Sequence, residues 1–281
     1  MKILILGANG QVGSALVKIL KDDYQIKTTT RKNLDCEKSD EIIKYFKKKH
    51  FDLIINAVSY TKVDQAEEET KRAYQLNTLL PKMLAQIANN MNAALIHYST
   101  DYVFDGYLSK DYYEQSNPKP LNVYGKTKLQ GDLAIIEEKV KGYILRVSWV
   151  YGNNDHSFLN KIQNQINKKK QLRVVNDQFG TPTSSTFIAK ITKKLIDRKN
   201  FNHIKVYNLS PKGKCSWFDF TKEYLNQKKI THPLTTINTD DIKQKTKRPL
   251  SVKLNSSKLE KYLKMKFKDW KGVLKTYLYE R

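Results

Sequence analysis

A short polar segment in the middle of the chain carries residue types that can act in acid–base chemistry. The apolar run AALIH (93–97) is followed by Tyr98 and then by STDYVFDG (99–106). Parallel-sheet enzymes hold catalytic groups at strand ends that open onto a cleft. Ser, Thr and Asp also satisfy backbone groups where a strand simply runs into a loop. The segment alone therefore leaves two interpretations open, a catalytic strand end and an ordinary strand exit.

A tyrosine and a lysine with helical spacing follow in YGKTK (124–128). Four-residue spacing places Tyr124 and Lys128 on one face of a helix. An ammonium beside a phenol favours ionisation of the phenol, whose unperturbed pKa is near 10, and a tuned phenol can act as a general acid. The same spacing recurs in three other pairs, which we assign to amphipathic helix surfaces: Tyr45/Lys49, Tyr224/Lys228 and Tyr262/Lys266.

Three glycines follow the first apolar run in GANGQVG (7–13). In a strand–turn–helix unit, such glycines permit a tight turn, close approach of a pyrophosphate and close helix–strand packing. The free N–H groups of the following helix then face the phosphates. The spacing is GxxGxxG rather than the commoner GxGxxG, and at the first turn of a parallel α/β chain it favours a dinucleotide. The predicted cofactor-binding residues here are Gly7, Gly10, Gln11, Val12 and Gly13.

The end of the second predicted strand indicates which dinucleotide binds. NAD-binding proteins have an acid there for the ribose 2′-hydroxyl, whereas TTTRKNLDC (28–36) has threonines followed by Arg31 and Lys32. Two cations suit the 2′-phosphate of NADP(H) through charge-assisted hydrogen bonds. The alternative is a solvated turn in a lysine-rich protein. The pair favours NADPH, with NADH still possible, and Asp35 and Cys36 are predicted to reach the adenine side.

Alternating apolar runs and amphipathic stretches would position these motifs. Strands are predicted at 2–6, 24–28, 52–57, 93–99 and 143–148. Helices are predicted at 11–21, 40–49, 70–89 and 123–138. This alternation predicts βαβ units, and therefore an α/β fold with a Rossmann-type, doubly wound parallel sheet. We assign residues 1–150 to an NADP(H)-binding domain built on that sheet.

After Trp149 the pattern is less regular, and residues 151–281 are assigned to a smaller C-terminal substrate-binding lobe. In chain order this lobe is predicted to contain a helix at 158–168, a strand at 172–175, a loop at 176–185, a helix to about 196, a strand at 203–210 and then mostly lysine-rich helix. The strand at 203–210 is a candidate to rejoin the main sheet.

Composition predicts a soluble, cytoplasmic protein that does not bind membranes. The chain of 281 residues is 40% hydrophobic and 28% charged, which is typical of globular proteins. The apolar run at residues 3–6 is too short for a signal peptide, and no run reaches membrane-spanning length. Cys36 and Cys215 form no CxxC pair, so neither a zinc site nor a disulfide framework is predicted.

The net charge of +23 raises the question of nucleic-acid binding. The lysines are scattered along the chain, and no basic stripe interleaved with aromatic residues is present. Runs such as KKK at 47–49 and 168–170 have the character of solvated helix ends, where lysine complements the helix dipole. We therefore predict no nucleic-acid partner, although the charge can help to attract an anionic substrate.

The glycine turn, the Ser-Thr strand end and YxxxK together resemble the short-chain dehydrogenase/reductase superfamily in its extended branch. A longer series of blocks is similar to the dTDP-4-dehydrorhamnose reductase family. These blocks are GANGQVG, VDQAE (63–67), STDYVFDG, PLNVYGKTKLQGD (120–132), RVSWVYG (146–152) and NDQFGTPT (176–183), with RPLSVKLNSSKL (248–259) as a thinner continuation. The resemblance implies NADPH-dependent reduction of the 4-keto group of a nucleotide-linked 6-deoxy sugar, namely dTDP-4-dehydrorhamnose to dTDP-L-rhamnose.

The resemblance also implies roles for individual residues. Thr100 would hydrogen-bond the substrate carbonyl, and Asp101 would lie against the sugar nucleotide. Tyr124 would donate the proton, and Lys128 would bond the nicotinamide ribose and hold Tyr124 ready. Trp149 would pack against the deoxysugar, although a core position is the alternative because Trp is often largely buried.

Further cofactor contacts are implied after the third strand. Those residues are Ala57, Val58, Ser59 and Thr61. Some members of the family bind magnesium at a dimer contact through acidic residues, one of them on the first helix. This chain has Ala15 there, so we predict neither that metal nor that mode of dimerisation, and expect a monomer or a homodimer.

Two alternatives to the dTDP-sugar reductase remain at this stage. One is a reductase of a UDP-linked 4-keto-6-deoxyhexose, with or without epimerase activity. The other is a non-catalytic regulatory subunit of the same fold, as in methionine adenosyltransferase. The presence of Thr100, Tyr124 and Lys128 together disfavours the regulatory subunit, because a binding-only protein does not need all three.

Overall fold

Six parallel strands form the central sheet of the computed structural model, which describes residues 1–153, 157–242 and 245–280. The strands of this described part are β1 (Lys2–Leu6), β2 (Gln25–Thr29), β3 (Leu53–Asn56), β4 (Ala94–Thr100), β5 (Lys141–Val147), β6 (Val150–Tyr151), β7 (Leu172–Val175), β8 (Phe179–Gly180), β9 (Thr183–Ser184), β10 (Ile204–Asn208), β11 (Cys215–Ser216) and β12 (Leu234–Ile237). The central sheet has the order β10-β5-β4-β3-β1-β2. The predicted α/β fold with a doubly wound parallel sheet is confirmed.

Helices connect these strands. In the described ranges they are α1 (Gln11–Leu20), α2 (Ser39–Phe46), α3 (Val63–Ala66), α4 (Thr70–Tyr74), α5 (Leu80–Asn90), α6 (Val123–Glu137), α7 (Phe158–Asn167), α8 (Ser185–Asp197), α9 (Trp217–Lys228), α10 (Ser257–Leu263) and α11 (Trp270–Tyr279). A π-helical stretch, Gln75–Leu79, joins α4 to α5. None of the described helices combines the length and apolar character needed to cross a bilayer.

The first strand shows why both faces of the sheet are covered. Side chains alternate along a strand, so Ile3 and Ile5 face one way and Leu4 and Leu6 the other, and all four are fully buried. One face packs against apolar residues of α1 and α8. The other packs against residues of α2, α5 and α6. A strand buried on both faces is continuously apolar, as residues 3–6 of β1 are.

The order of the strands opens a crevice at the carboxyl edge of the sheet. From β1 the chain passes to β2 on one side, and later returns to β3 on the other side of β1. Loops that leave neighbouring strands in opposite directions leave a gap between them, and open parallel sheets bind ligands there. The glycine turn (7–13) and the segment after β3 (57–61) border this crevice.

The chain beyond residue 150 contributes to two cores. The predicted strand at 203–210 is present as β10 and pairs with β5 at the edge of the sheet, and α8 packs on the same face as α1. A separate apolar cluster joins α7, α9, α11 and β7. The division at residue 150 stays a prediction. The packing shows in addition that two later elements, β10 and α8, join the first core.

Three predictions for the C-terminal part are wrong. The segment after β10 is not mostly helix, because β12 pairs in parallel with β7, and residues 243 and 244 within this region lie outside the described residues. The region 176–185 is not wholly loop, because it contains β8 and β9, which pair with β11 and β6. Strands this short depend on remote partners, so local periodicity does not reveal them. The assignment of Tyr224 to a helix surface is also wrong, since only 1% of this residue is exposed.

Helix α6 lies unusually close to the π-helical stretch. A Cβ added at Gly131 would lie 2.0 Å from the backbone oxygen of Asn77. A Cβ at Gly125 would lie 2.2 Å from the backbone oxygen of Tyr102. No side chain fits at these distances, so the two glycines set how near α6 comes to its neighbours.

Substitution Gly131→Ala is expected to destabilise the protein despite the better helix propensity of alanine. Overpacking costs about 1–3 kcal/mol and exceeds the helical gain of about 1 kcal/mol, so the free energy of unfolding should fall. Urea denaturation measures this change. Gln130→Ala, at an exposed position of the same helix, is the control and should leave stability nearly unchanged. Equal stability of the two variants would contradict the tight contact.

Candidate active site

Two adjoining cavities occupy the carboxyl edge of the sheet. The inner cavity, about 450 Å³, is lined by Thr100, Asp101, Tyr124, Lys128, Trp149 and residues of the glycine turn. The outer cavity, about 340 Å³, is lined by the end of β2, the loop 34–37 and the segment after β3. Both cavities share Gly10, Ala57, Val58, Ser59 and Thr61. Together they form one elongated cleft across the switch point of the sheet.

The glycine turn forms the middle of this cleft. Gly7 has φ +77°, a left-handed conformation that favours glycine, and the N–H groups of Gly7 and Ala8 donate to the carbonyl oxygen of Thr29 at 3.0 and 2.9 Å. A Cβ at Gly13 would lie 2.1 Å from the carbonyl oxygen of Gly7. Gly13 therefore packs beneath the turn, whereas Gly10, Gln11 and Val12 line the inner cavity.

The start of helix α1 has the properties of an anion site. Its N-cap is Gly10, which supplies no capping side chain, and its first turn contains no acidic residue. The first N–H groups of a helix have no partner within the helix, and they carry the positive end of its dipole. The buried Oε1 of Gln11 also has no hydrogen-bond partner among the described residues.

The outer cavity carries an ion-pair network that the sequence did not predict. Arg31 Nη2 lies 3.0 Å from Glu37 Oε1, and Arg72 donates to both Glu37 oxygens at 2.9 and 3.0 Å. Hydrogen bonding from Arg72 lowers the pKa of Glu37. Arg72 also lies over the ring of Tyr60, 5.6 Å from its centroid. Two guanidinium groups therefore border the cavity, whereas one arginine and one lysine were predicted.

The remaining residues of the second-strand prediction separate into two groups. Asp35 and Cys36 line the outer cavity, as does Arg31. Burial raises the pKa of the Cys36 thiol to about 11, so this thiol is protonated and unreactive at neutral pH. Lys32 is exposed and is not among the lining residues.

Asn77, which belongs to no motif in the sequence, connects the cleft to helix α6. It is fully buried in the π-helical stretch. Its Oδ1 accepts from Ser59 Oγ and from the N–H of Tyr60, both at 2.8 Å. Its Nδ2 donates to the carbonyl oxygen of Tyr60 and to Thr127 Oγ1, both at 3.1 Å. One amide thus fixes the segment that follows β3 against the helix that carries Tyr124 and Lys128.

The polar strand end forms a buried hydrogen-bond chain. Thr100 Oγ1 donates to Asp101 Oδ1 at 3.2 Å and accepts from the N–H of Tyr102 at 3.2 Å. Ser148 Oγ donates to the second carboxylate oxygen of Asp101 at 2.7 Å. Burial raises the pKa of Asp101 to about 6, against these hydrogen bonds, which lower it. Of the two initial interpretations, the geometry favours the catalytic strand end, because the side chains face a cavity.

Tyr124 lies at the same end of the inner cavity, on the first turn of α6. Its ring packs edge-on against Tyr102 at 5.4 Å. Burial raises the pKa of Tyr124, and a hydrogen bond with Thr100 opposes that rise. The lowering of this pKa expected from a neighbouring ammonium is not found among the described protein groups, since Asp101 and Asp132 add to the rise that burial causes. Tyr124 is therefore fully protonated at neutral pH, the form that a proton donor requires.

Lys128 points from α6 into the protein beside β4 and is 1% exposed. Its Nζ donates to the carbonyl oxygen of Tyr98 at 2.6 Å and lies 3.1 Å from Nε2 of His97. Burial lowers the pKa of Lys128 to about 8, although Asp132 opposes this shift. The lysine can therefore change charge near neutral pH.

Trp149 lies at the mouth of the inner cavity. It has φ +45°, which is unusual for a bulky residue and stores strain. Its ring stacks on Trp217 with centroids 3.6 Å apart and planes 3° apart. A Cβ at Gly180 would lie 2.3 Å from the Trp149 ring. Trp217, which lines the same cavity, was not predicted because it is distant in the sequence and belongs to no motif.

The sequence predicts no bound metal. Ala15, which stands in place of an acidic ligand, lies on α1. Within the ranges 1–153, 157–242 and 245–280, no group of three or more His, Cys, Asp or Glu side chains is placed to hold a metal ion. The absence of a metal remains a prediction.

The fold and the site together define the class of protein. A parallel sheet with a glycine turn at its switch point, and Thr, Tyr and Lys side chains on one cavity, is the arrangement of the short-chain dehydrogenases/reductases. The model of the RmlD substrate binding domain matches residues 1–281, and the chain belongs to this family.

Individual relatives agree with this family. The dTDP-4-dehydrorhamnose reductase of Aggregatibacter actinomycetemcomitans is 35% identical over 98% of this chain and 97% of the relative. The crystal structure of dTDP-4-dehydrorhamnose reductase from Bacillus anthracis in complex with NADP has a TM-score of 0.94 at 30% identity, covering 100% of this chain and 99% of the other. The corresponding structure from Clostridium acetobutylicum has a TM-score of 0.93 at 35% identity, with coverages of 100% and 99%.

Substitution Asp101→Asn is expected to change how stability depends on pH. The folded pKa of Asp101, about 6, lies above the unfolded value of about 3.9, so the native state binds the extra proton between these pH values. This stabilisation is present below about pH 4 and is lost as pH rises to about 6. Asp101→Asn has no carboxyl group, so its stability should not fall in this way. The free energy of unfolding of the variant, relative to that of the wild type, should therefore rise between about pH 4 and pH 7.

Urea denaturation across this pH range makes the measurement. Asp22→Asn, at an exposed position, is the control and should follow the wild type. A parallel pH dependence in Asp101→Asn and the wild type would show that the Asp101 carboxyl has no raised pKa.

Proposed function

We propose that this protein is an NADPH-dependent reductase that converts dTDP-4-dehydrorhamnose to dTDP-L-rhamnose. The observation that carries the proposal is the meeting of Thr100, Tyr124 and Lys128 on one cavity that continues into the glycine-turn cleft. The related reductases named above support dTDP-4-dehydrorhamnose as the substrate, and the relative from Bacillus anthracis binds NADP. The location that we propose is the cytoplasm, with the enzyme acting as a monomer or a homodimer.

The cleft has the features that a dinucleotide requires. Its middle is the uncapped start of α1, where free N–H groups suit a pyrophosphate, and its outer end carries Arg31 and Arg72 for a 2′-phosphate. Val58, Ser59 and Thr61 would lie along the cofactor between these ends. When bound, NADPH supplies the hydride that adds to the carbonyl carbon of the sugar.

The protein groups in the inner cavity then handle the proton and the oxygen. The Thr100 hydroxyl, which donates to Asp101, can turn its proton toward a substrate carbonyl. Tyr124, protonated at neutral pH, can donate to the oxygen that becomes negative as the carbonyl is reduced. A charged Lys128 would bond the ribose of the cofactor and favour the phenolate that Tyr124 leaves.

The aromatic pair at the mouth suits the sugar. The apolar face of a deoxysugar can pack on Trp149, and Trp217 supports that ring from behind through the stacked contact. The scattered lysines give a positive field that attracts a doubly anionic nucleotide sugar. A purely regulatory role would leave the buried Lys128 without a purpose, since burying an ammonium is unfavourable.

Substitution Tyr124→Phe should lower kcat by about two to four orders of magnitude, which is the usual contribution of a positioned general acid. The fold and NADPH affinity should change little. The assay follows loss of NADPH absorbance with dTDP-4-dehydrorhamnose, and with the UDP-linked 4-keto sugar as the competing substrate. Tyr45→Phe, in the YxxxK pair of α2, is the matched control and should retain full activity. Near-normal turnover by Tyr124→Phe would remove this residue from the mechanism.

The two cations after β2 should contribute unequally to cofactor choice. Because Arg31 lines the outer cavity and Lys32 does not, Arg31→Ala should raise the KM for NADPH more than Lys32→Ala does. Neither variant should alter the KM for NADH, which has no 2′-phosphate. Steady-state kinetics with both cofactors measure these constants. Equal changes in the KM values for NADPH and NADH would show that Arg31 does not bind the phosphate.

A further inference from the structure

A buried histidine lies directly behind the lysine of the site. His97 on β4 is 1% exposed, and each of its ring nitrogens faces one polar side chain. Nδ1 lies 3.0 Å from Nδ2 of Asn56, and Nε2 lies 3.1 Å from Nζ of Lys128. The reaction described above assigns no role to this imidazole.

The orientation of Asn56 decides which nitrogen of His97 carries the proton. The backbone N–H of Val58, which can only donate, is 3.1 Å from Oδ1 of Asn56. The amide oxygen is therefore occupied, and Nδ2, which also can only donate, faces His97. Nδ1 of His97 must accept this hydrogen bond, so the neutral ring carries its proton on Nε2.

This tautomer points a donor at Lys128. An ammonium offers only donors, so a charged Lys128 would place two donors against each other at 3.1 Å. An amine has a lone pair that can accept from Nε2–H while its own N–H donates to the carbonyl oxygen of Tyr98. The contacts of Lys128 with His97 and with Tyr98 are therefore both hydrogen bonds when Lys128 is neutral.

Protonation of the histidine does not relieve the conflict. Burial and the neighbouring Lys128 hold the pKa of His97 well below its usual range, so the ring remains neutral at physiological pH. Burial independently lowers the pKa of Lys128 to about 8. The hydrogen-bond directions and the desolvation therefore both favour the neutral form of Lys128.

The other titratable groups around His97 and Lys128 either favour the charged form of Lys128 or lie farther away. On α6, Asp132 Oδ1 lies 3.8 Å from His97 Nε2, too far for a hydrogen bond, and its charge raises the pKa of Lys128. Arg146 on β5 lies 3.8 Å from the same carboxylate and offsets part of that charge. Tyr124 on α6 is protonated, and Asp101 follows β4.

We propose that His97 is a positioning residue that sets the charge of Lys128, because its Nε2–H favours the amine over the ammonium. The lysine can then release and regain a proton during turnover instead of remaining permanently charged. The catalytic consequence of this inference rests on the proposed function. The hydrogen bonds between Asn56, His97 and Lys128 do not depend on it.

The tautomer is tested on the wild-type protein without substitution. Imidazole ¹⁵N chemical shifts distinguish a protonated Nε2 from a protonated Nδ1. The expected result for His97 is a protonated Nε2 and an unprotonated Nδ1 at neutral pH. A proton on Nδ1 would overturn the proposal, because Nε2 would then accept from the ammonium and stabilise it.

Two variants test the effect on Lys128. His97→Gln can present a carbonyl oxygen to the ammonium. Asn56→Asp, when ionised, offers only acceptors, so Nδ1 of the neutral His97 ring must donate and the Nε2 lone pair faces Lys128. His97→Gln should raise the folded pKa of Lys128 by about one unit, as expected for one hydrogen bond gained by the charged form. Asn56→Asp should raise it further, because its negative charge also favours the ammonium. His203→Gln, at an exposed position, is the control.

Unfolding experiments measure this shift without reference to activity. The folded pKa of Lys128, about 8, lies below the unfolded value of about 10.4, so the wild type gains stability as pH rises between these values. This gain should begin about one pH unit higher in His97→Gln and higher still in Asn56→Asp, and it should vanish in a Lys128→Met background. An unchanged onset in both variants would overturn the proposal.

The kinetic profile gives the functional counterpart. If charged Lys128 is the active form, kcat falls as pH rises through its pKa. The midpoint of this fall should move upward by about one unit in His97→Gln, while KM at neutral pH changes little. A uniform loss of kcat with an unmoved midpoint would mean that His97 is merely structural. Absence of any activity in the wild type would refute the proposed function but not the tautomer or the stability result.

Discussion

Lys128 is almost completely buried between β4 and α6, and its position constrains the rest of the site. Its Nζ can reach the carbonyl oxygen of Tyr98 at 2.6 Å only if the helix lies close to the strand. Gly125 and Gly131 permit close approach of the same helix to Tyr102, just after β4, and to the π-helical stretch, since a Cβ at either position would collide with a backbone oxygen there. Asn77 then ties the same helix to the segment after β3. Tyr124, the cleft and the polar end of β4 are thus held against one another.

The same arrangement lowers the stability of the fold, because three residues of the site are held in energetically unfavourable states. A buried carboxyl at Asp101 and a buried amine at Lys128 both have pKa values shifted toward the neutral form, because desolvation disfavours charge. Trp149 adds backbone strain at φ +45°, which is of order 1–3 kcal/mol for such residues. Features of this kind cluster at functional sites, and here all three line one cavity.

Much of the fold followed from local sequence. The apolar runs of the first 150 residues identified β1 to β5, because burial of a parallel strand on both faces leaves a continuous apolar signal. The amphipathic stretches identified α1, α2 and α6, whereas α3 was not predicted and the single helix predicted at 70–89 is divided into α4, the π-helical stretch and α5. The strand at 203–210 was also found. Strand β7 was predicted, whereas its partner β12 was missed, since this four-residue strand is only partly apolar and is stabilised by pairing with a distant segment. Helix α8 was predicted, but its packing in the first core was not, because that contact joins segments that are distant in the sequence.

The sequence by itself determined the glycine turn, the Ser-Thr strand end and the Tyr124–Lys128 spacing, because each of these is a short motif whose geometry is set by neighbouring residues. Spacing alone was insufficient, since four pairs share it and only one lies on the cavity. The tertiary structure decided the contributions of Arg72, Trp217 and His97. These residues reach the site from separate elements, and nothing in their local sequence marks them. Contacts between remote segments, and the direction of each hydrogen bond, arise only when the chain is folded.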